Sequence, residues 1–135
     1  MIAHPLFHYL GGLVFGIALS AVMLLPQPDI FVLGNTINLT VMTSLWLGAL
    51  LVQPVERNVL LQEVSVGLLS LVVIALVFQL HVYLLIVGFV VQAQWSKMHD
   101  GGKWGVAVRH WYPLFSSATC LGMAVVVFIR MVVAL

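Results

Sequence analysis

Long apolar runs broken by short polar stretches dominate the chain. Leu6 to Leu25 carries no formal charge, opens on His4-Pro5 and closes on Pro26-Gln27-Pro28-Asp29. Proline suits the first turn of a helix, where its missing N–H is an orphan anyway, and it blocks continuation past the last turn. The next run, Ile37 to Gln53, stops at Pro54, and Val55-Glu56-Arg57-Asn58 makes a polar break. Val59 to Ser96 is then apolar almost throughout, without Pro, Asn or Asp. A hydrophilic, glycine-bearing loop opens at His99-Asp100-Gly101-Gly102-Lys103, and the last run covers Tyr112 to Val133. A helix needs about 20 apolar residues to cross the roughly 30 Å hydrocarbon layer. The pattern predicts an all-α membrane protein, a four-transmembrane-helix bundle with spans of about 6–25, 37–53, 59–96 and 112–133. All of residues 1–135 form a single integral membrane domain in this reading. The first span lacks a basic n-region and an A-x-A-like cleavage site, so it reads as a retained anchor.

The third run is the unusual one. At 1.5 Å per residue it would make a rod of about 57 Å, far more than one perpendicular crossing. Either one long helix tilts or projects, or two shorter spans turn near Gln79-Leu80-His81. Helical phase bears on the choice. Gly67, Ser70, His81, Gly88 and Gln92 all fall within about 40° of Glu63 at 100° per residue. Ser65, Gln79, Tyr83, Gln94 and Lys97 gather on the opposite side, and the flanks between are aliphatic. A single phase kept over the whole run favours an unusually long third helix. Four spans put both termini on one side. Lys97, Lys103 and Arg109 outnumber Arg57 and Arg130, so the positive-inside rule places loop 97–110 in the cytoplasm and the termini outside. The expected location is a bacterial cytoplasmic membrane.

Composition narrows the class further. Of 135 residues, 63% are hydrophobic and 7% charged, where a soluble domain carries about 25% charged residues. A mean hydropathy of +1.18 also rules out disorder, which needs low hydrophobicity and high charge. Five Lys and Arg against four Asp and Glu leave no basic field for a nucleic acid. The single cysteine, Cys120, excludes an intrachain disulfide and a multi-thiolate zinc site.

Candidate chemistry is sparse. Glu63, His81, Gln92 and Arg130 stand out among the polar side chains inside the spans, where such groups are costly and functional by default. Glu63 and Arg130 are expected at similar depth as a neutralising pair, with snorkelling of Arg130 to the headgroups as the alternative. His81 is a candidate cofactor ligand or pathway residue, with a helix-to-helix hydrogen bond as the plainer role. His4 and His8, four apart on one face, have metal-ligand spacing but no third ligand nearby. Trp95, Trp104, Trp111 and Tyr112 read as an interfacial aromatic belt. Rows of small residues, Gly12-Gly16-Ser20, Thr36-Thr40-Thr43 with Ser44 and Gly48, and Ser116-Cys120-Ala124, should face other helices. No catalytic constellation is visible, and an enzymatic role stays open. No cofactor is predicted, with haem, quinone and copper all left open.

Three functions follow. The leading expectation is a non-catalytic accessory or structural subunit of a larger membrane complex, whose partners are the lipid bilayer and other membrane subunits or further copies of itself. Its contact face would be Ser65, Gln79, Tyr83, Gln94 and Lys97. The alternatives are a small homo-oligomeric transporter or channel using Glu63 and His81, and a redox subunit with a quinone or haem pocket.

Overall fold

A computed structural model describes residues 4–24, 28–77, 79–102, 105 and 108–134. The described residues form five α-helices, α1 (Pro5–Val22), α2 (Pro28–Leu51), α3 (Arg57–Val77), α4 (Leu84–Met98) and α5 (Tyr112–Ala134), with a 3₁₀ turn at Asp100–Gly102 and no strand. Helices α1, α3 and α5, and α2 from Ile30, are long and apolar enough to cross a membrane, whereas α4 is a shorter apolar helix.

The ends of the helices follow the local chemistry. His4 caps α1 by accepting the Leu6 N–H on Nδ1 at 3.2 Å, and Pro5 occupies the first turn. Proline again opens α2 at Pro28, and α2 ends just ahead of Pro54. This second helix begins well before the expected Ile37. Gly34-Asn35 resembles turn chemistry in sequence, but here it serves close packing. A Cβ on Gly34 would press on the Met23 side chain. Asn35 accepts the Ser20 hydroxyl at 2.7 Å and donates to the Phe31 carbonyl at 2.9 Å. Farther along α2, Thr36, Thr40, Thr43 and Ser44 each donate to the carbonyl one turn back, which satisfies the hydroxyls inside an apolar helix.

The expected single long helix over 59–96 is replaced by a hairpin of two helices. Gln92 donates to Ser70 at 3.2 Å and Trp95 to Glu63 at 3.4 Å, so α3 and α4 run antiparallel. In the turn, the Gln79 and Leu80 N–H groups both reach back to the Leu76 carbonyl, at 3.1 and 2.9 Å. His81 Nδ1 accepts the Tyr83 N–H at 3.1 Å and its ring stacks on Tyr83, with centroids 4.4 Å apart. The His81 side chain and backbone turns thus make the break without proline or glycine. Phase did not reveal it because Ser70 and Gly88 are separated by about five whole turns at 3.6 residues each. Two helices facing each other and one continuous helix then give the same pattern.

Helix α4 is the hub. Leu85 and Phe89 are fully buried and join Leu39 of α2 and Met123 and Val127 of α5 in the larger apolar core. A smaller cluster at the other end of the bundle holds Trp46, Leu50 and Trp95. Helix α1 packs on α5 in the same direction. A Cβ on Gly12 would strike the Phe115 carbonyl and one on Gly16 the Thr119 carbonyl, while one on Gly122 of α5 would come within 2.8 Å of Leu13 O. Thr119 also donates to Gly12 O at 3.1 Å. Small residues therefore bring the two backbones into contact, as expected for Gly12, Gly16 and Ser20 and for Ser116, Cys120 and Ala124, all buried. On α2 the expectation holds for Thr36 and Thr43, whereas Ser44 and Gly48 are exposed.

Parallel packing of α1 and α5 corrects one further expectation. The start of α1 lies beside the start of α5, where His8 and His110 meet with ring centroids 5.8 Å apart. The end of α5 lies at the opposite end of the bundle, where Arg130 and Val133 meet Ala21 and Leu24. The start of α1 and the end of α5 are therefore at opposite ends of the bundle, and the start of α1 shares its end with His99 and His110. The physical reason is the hairpin, which adds one pass.

Candidate functional site

Burial of a carboxylate in an apolar bundle needs compensation. Glu63, on α3, is fully buried, and the hairpin brings it to His99, the C-cap residue of α4. The end of α4 tightens there. The His99 N–H bonds Ser96 O at 3.1 Å, which leaves the Trp95 carbonyl for His99 Nδ1 at 2.7 Å. Nε2 of the same ring bonds Glu63 Oε1. A carbonyl only accepts, so Nδ1 carries a hydrogen, and one proton must then lie between Nε2 and the carboxylate. Whether it sits on imidazole or carboxyl, the pair is neutral as a whole, which lowers the cost of burying two ionisable groups. Trp95 Nε1–H adds a third contact, to Oε1, and Oε2 has no hydrogen-bond partner.

Aromatic rings enclose the pair. Trp46 of α2 stacks on His99 with centroids 4.1 Å apart and an interplanar angle of 26°. Trp46 also lies 6.1 Å from Trp95 and 5.4 Å from Tyr112. Its Nε1–H donates to Ser96 Oγ at 3.0 Å, and Ser96 shares a hydrogen bond of 2.9 Å with Ser116 of α5. Four helices thus meet at this site. Gly105 closes over it. A Cβ at that position, with φ +78°, would overlap the His99 ring and come within 3.0 Å of Glu63 Oε1. A cavity of about 240 Å³ lies alongside, lined by His99, Gly101, Val108, His110 and Pro113.

A second polar layer lies deeper. Gln92 Nε2 donates to Thr43 Oγ1 at 2.8 Å and to Ser70 at 3.2 Å, tying α2, α3 and α4 together. The Ser20–Asn35 bond ties α1 to α2 beyond it. Glu63, Gly67, Ser70, Gly88 and Gln92 are buried, as their shared phase implied, but His81 is exposed in the turn at the far end.

The remaining predicted residues are dispersed. Glu63 and Arg130 do not pair. Glu63 sits at the His99 end, whereas Arg130 lies among Ala21, Leu24 and Ile129 near the end of α5. The expected pairing assumed four spans, and the extra pass sets the two groups at opposite ends. His4 is an exposed cap. His8 faces His110, and its Nε2 is buried without a partner. Among the described residues no three His, Cys, Asp or Glu side chains gather to hold a metal. Ser65, Gln79, Tyr83, Gln94 and Lys97 are all exposed. Trp95 is buried at the pair, not part of an interfacial belt, and Trp104 lies outside the described residues. Sequence reasoning missed His99, Trp46, Ser96 and Asn35 as site residues. The one available signal was the four-residue step from Trp95 to His99, which puts both on one helical face.

These features define a class: an all-α bundle with four helices able to cross a membrane and a neutral, proton-sharing carboxylate–imidazole pair buried at one end. No protein-family model, characterised protein or solved structure matches the chain.

Proposed function

We propose that the chain is a non-catalytic subunit of a larger membrane complex, held to its partners through the outer face of the α3–α4 hairpin. Gln94 carries the reading. Gln92 lies beside Ser70, so Gln94 is level with Leu68, close to the middle of Arg57–Val77. Its side chain is exposed there, on the face shared with Val90 and Val87 one and two turns back, which are also exposed. An exposed amide facing hydrocarbon is unfavourable unless a partner supplies hydrogen bonds. Lys97, about one turn on, adds a second polar group to that face. Ser65 contributes less, because its hydroxyl already bonds the Leu61 carbonyl at 2.6 Å. Gln79 and Tyr83 belong to the turn.

Polar contacts between membrane helices contribute roughly 0.6 kcal/mol each, up to about 2. Gln94 and Lys97 together therefore add specificity to an interface that Leu68, Val87 and Val90 would provide by packing. A transporter that used both Glu63 and His81 has less support, since the two stand at opposite ends of the hairpin.

Purification in mild detergent tests the proposal, with co-purifying unlike subunits as the expected result; a defined homo-oligomer without other subunits would favour the transporter or channel instead. Gln94→Leu should weaken that assembly, and the triple variant with Gln79→Leu and Tyr83→Leu should weaken it at least as much. Membrane insertion should be unchanged in both. A parent protein that runs as a monomer, or a triple variant that assembles as the parent does, overturns the reading.

A further inference from the structure

We propose that the side of the bundle formed by α1, α2 and α5 carries a binding site for a quinone. A cavity of about 260 Å³ lies there among Phe15, Asn38, Val41, Tyr112, Phe115 and Met123. Two polar groups on its wall lack partners. The Asn38 Nδ2 amide is shut off from water and makes no hydrogen bond, and the Tyr112 hydroxyl, although near Ser116, makes none of proper geometry. Asn38 is an exception on its own helix. Asn35, Thr36, Thr40, Thr43 and Ser44 all bond a backbone carbonyl one turn back. Buried donors without acceptors are rare and costly, and each calls for a physical account. A ligand that brings an acceptor into the cavity provides one.

Depth selects the ligand. Asn38 is near the middle of Pro28–Leu51. Asn35 bonds Ser20, and Gly16, one turn before Ser20, packs on Thr119. Asn38 is therefore level with Thr119, well inside α5. A phospholipid's ester carbonyls stay at the headgroup level, outside the hydrocarbon core. A charged ligand at this depth would lose its hydration. A quinone is uncharged, flat and soluble in hydrocarbon, and each of its carbonyl oxygens accepts a hydrogen bond. Phe15 and Phe115, with centroids 5.6 Å apart and planes tilted by 33°, offer aromatic faces for its ring. Phe15 and Val41 are about half exposed, at 49% and 51%, so an isoprenoid tail can leave the cavity directly into lipid. The site is on different helices from Gln94, and the inference does not rest on the subunit reading.

The test is a titration of the protein in phosphatidylcholine nanodiscs with a ubiquinone of one isoprene unit, read by tryptophan fluorescence. Quinones quench indole emission, and Trp46 lies 5.4 Å from Tyr112 by ring centroids. Saturable quenching is expected. Asn38→Leu should weaken the apparent affinity roughly five- to tenfold, the value of one hydrogen bond. Val41→Phe, which fills the cavity with an apolar ring, should abolish saturation. Circular dichroism confirms that both variants remain folded. Quenching that rises linearly with the quinone-to-lipid ratio reports partitioning alone and overturns the proposal. Saturable quenching that neither variant changes overturns it as well.

Discussion

The sharpest consequence of the buried pair is that glutamine should replace Glu63 almost without cost, whereas leucine should not. His99 Nδ1 donates to the Trp95 carbonyl, so a neutral His99 presents Nε2 as an acceptor. The amide of Glu63→Gln can donate to that nitrogen and restore the proton between the two groups. The Trp95 N–H contact is long at 3.4 Å, so losing it in Gln costs at most about 1 kcal/mol. Leucine removes both interactions. The bond between the ionisable partners accounts for about 1.5–3 kcal/mol, and the lost Trp95 contact for up to about 1 more, as in glutamine. Their sum, about 1.5–4 kcal/mol, overlaps the lower part of the roughly 3–5 kcal/mol expected when one member of a buried pair is deleted. His99→Leu should cost more than Glu63→Leu, because it also loses the stack on Trp46, worth about 0.5–1.5 kcal/mol, and leaves the Trp95 carbonyl bare. Reversible unfolding in mixed dodecylmaltoside and dodecyl sulfate micelles, followed by tryptophan fluorescence and circular dichroism, gives the four stabilities, including the Glu63→Leu/His99→Leu double variant. The double variant should be more stable than the sum of the singles implies. If glutamine destabilises as much as leucine, or the single effects add within about 0.5 kcal/mol, the shared proton is refuted.

Two further outcomes probe the architecture. Gly12→Ala and Gly16→Ala each place a methyl group against an α5 carbonyl and should destabilise by about 1–3 kcal/mol each in the same unfolding assay. Gly11→Ala and Gly48→Ala meet nothing within 4 Å and should be neutral or stabilising by up to about 1 kcal/mol. If all four behave alike, the α1–α5 backbone contact is wrong. In a Cys120→Ala background, a membrane-impermeant maleimide should label Leu80→Cys from one side of the membrane and Asp100→Cys from the other. A protected Leu80→Cys would restore the single long helix.

Legibility in the sequence tracked how local each determinant is. Charge-free runs, proline at helix starts and small residues at helical spacing act within one helix, and they located α1 and α5 to within a few residues. The α3–α4 turn was harder, because it holds no proline or glycine and its side-chain cap comes from a histidine, His81 Nδ1 accepting the Tyr83 N–H. In phase with Glu63, His81 read as part of a buried face, yet its ring caps the turn and stacks on Tyr83. The start of α2 was obscured for the opposite reason. Gly34 and Asn35 are turn formers in water, but against Met23 and Ser20 they permit a close helix contact. The Glu63–His99 pair depends on the hairpin, so a reading that lacked the turn assigned Glu63 to Arg130.

Satisfaction of polar side chains separates the structural ones from those that address something outside the chain. In hydrocarbon a polar group gains nothing from solvent, so it must find its partner in protein or ligand. Ser20 with Asn35, Gln92 with Thr43 and Ser70, and Glu63 with His99 are paired across helices. Removing any one should loosen the bundle, which is a structural role. Asn38 Nδ2 is buried with no acceptor, and the Gln94 side chain is exposed near the depth of the α3 midpoint. Neither contributes a known bond to the fold, so replacing either with leucine should leave stability unchanged or raise it, since burying an unsatisfied polar group costs about 1–3 kcal/mol. A loss of stability in Asn38→Leu or Gln94→Leu, measured by the same unfolding assay, would show that these side chains already have partners within the bundle. Unchanged or increased stability, together with weakened quinone binding for Asn38→Leu and weakened assembly for Gln94→Leu, would assign both to recognition.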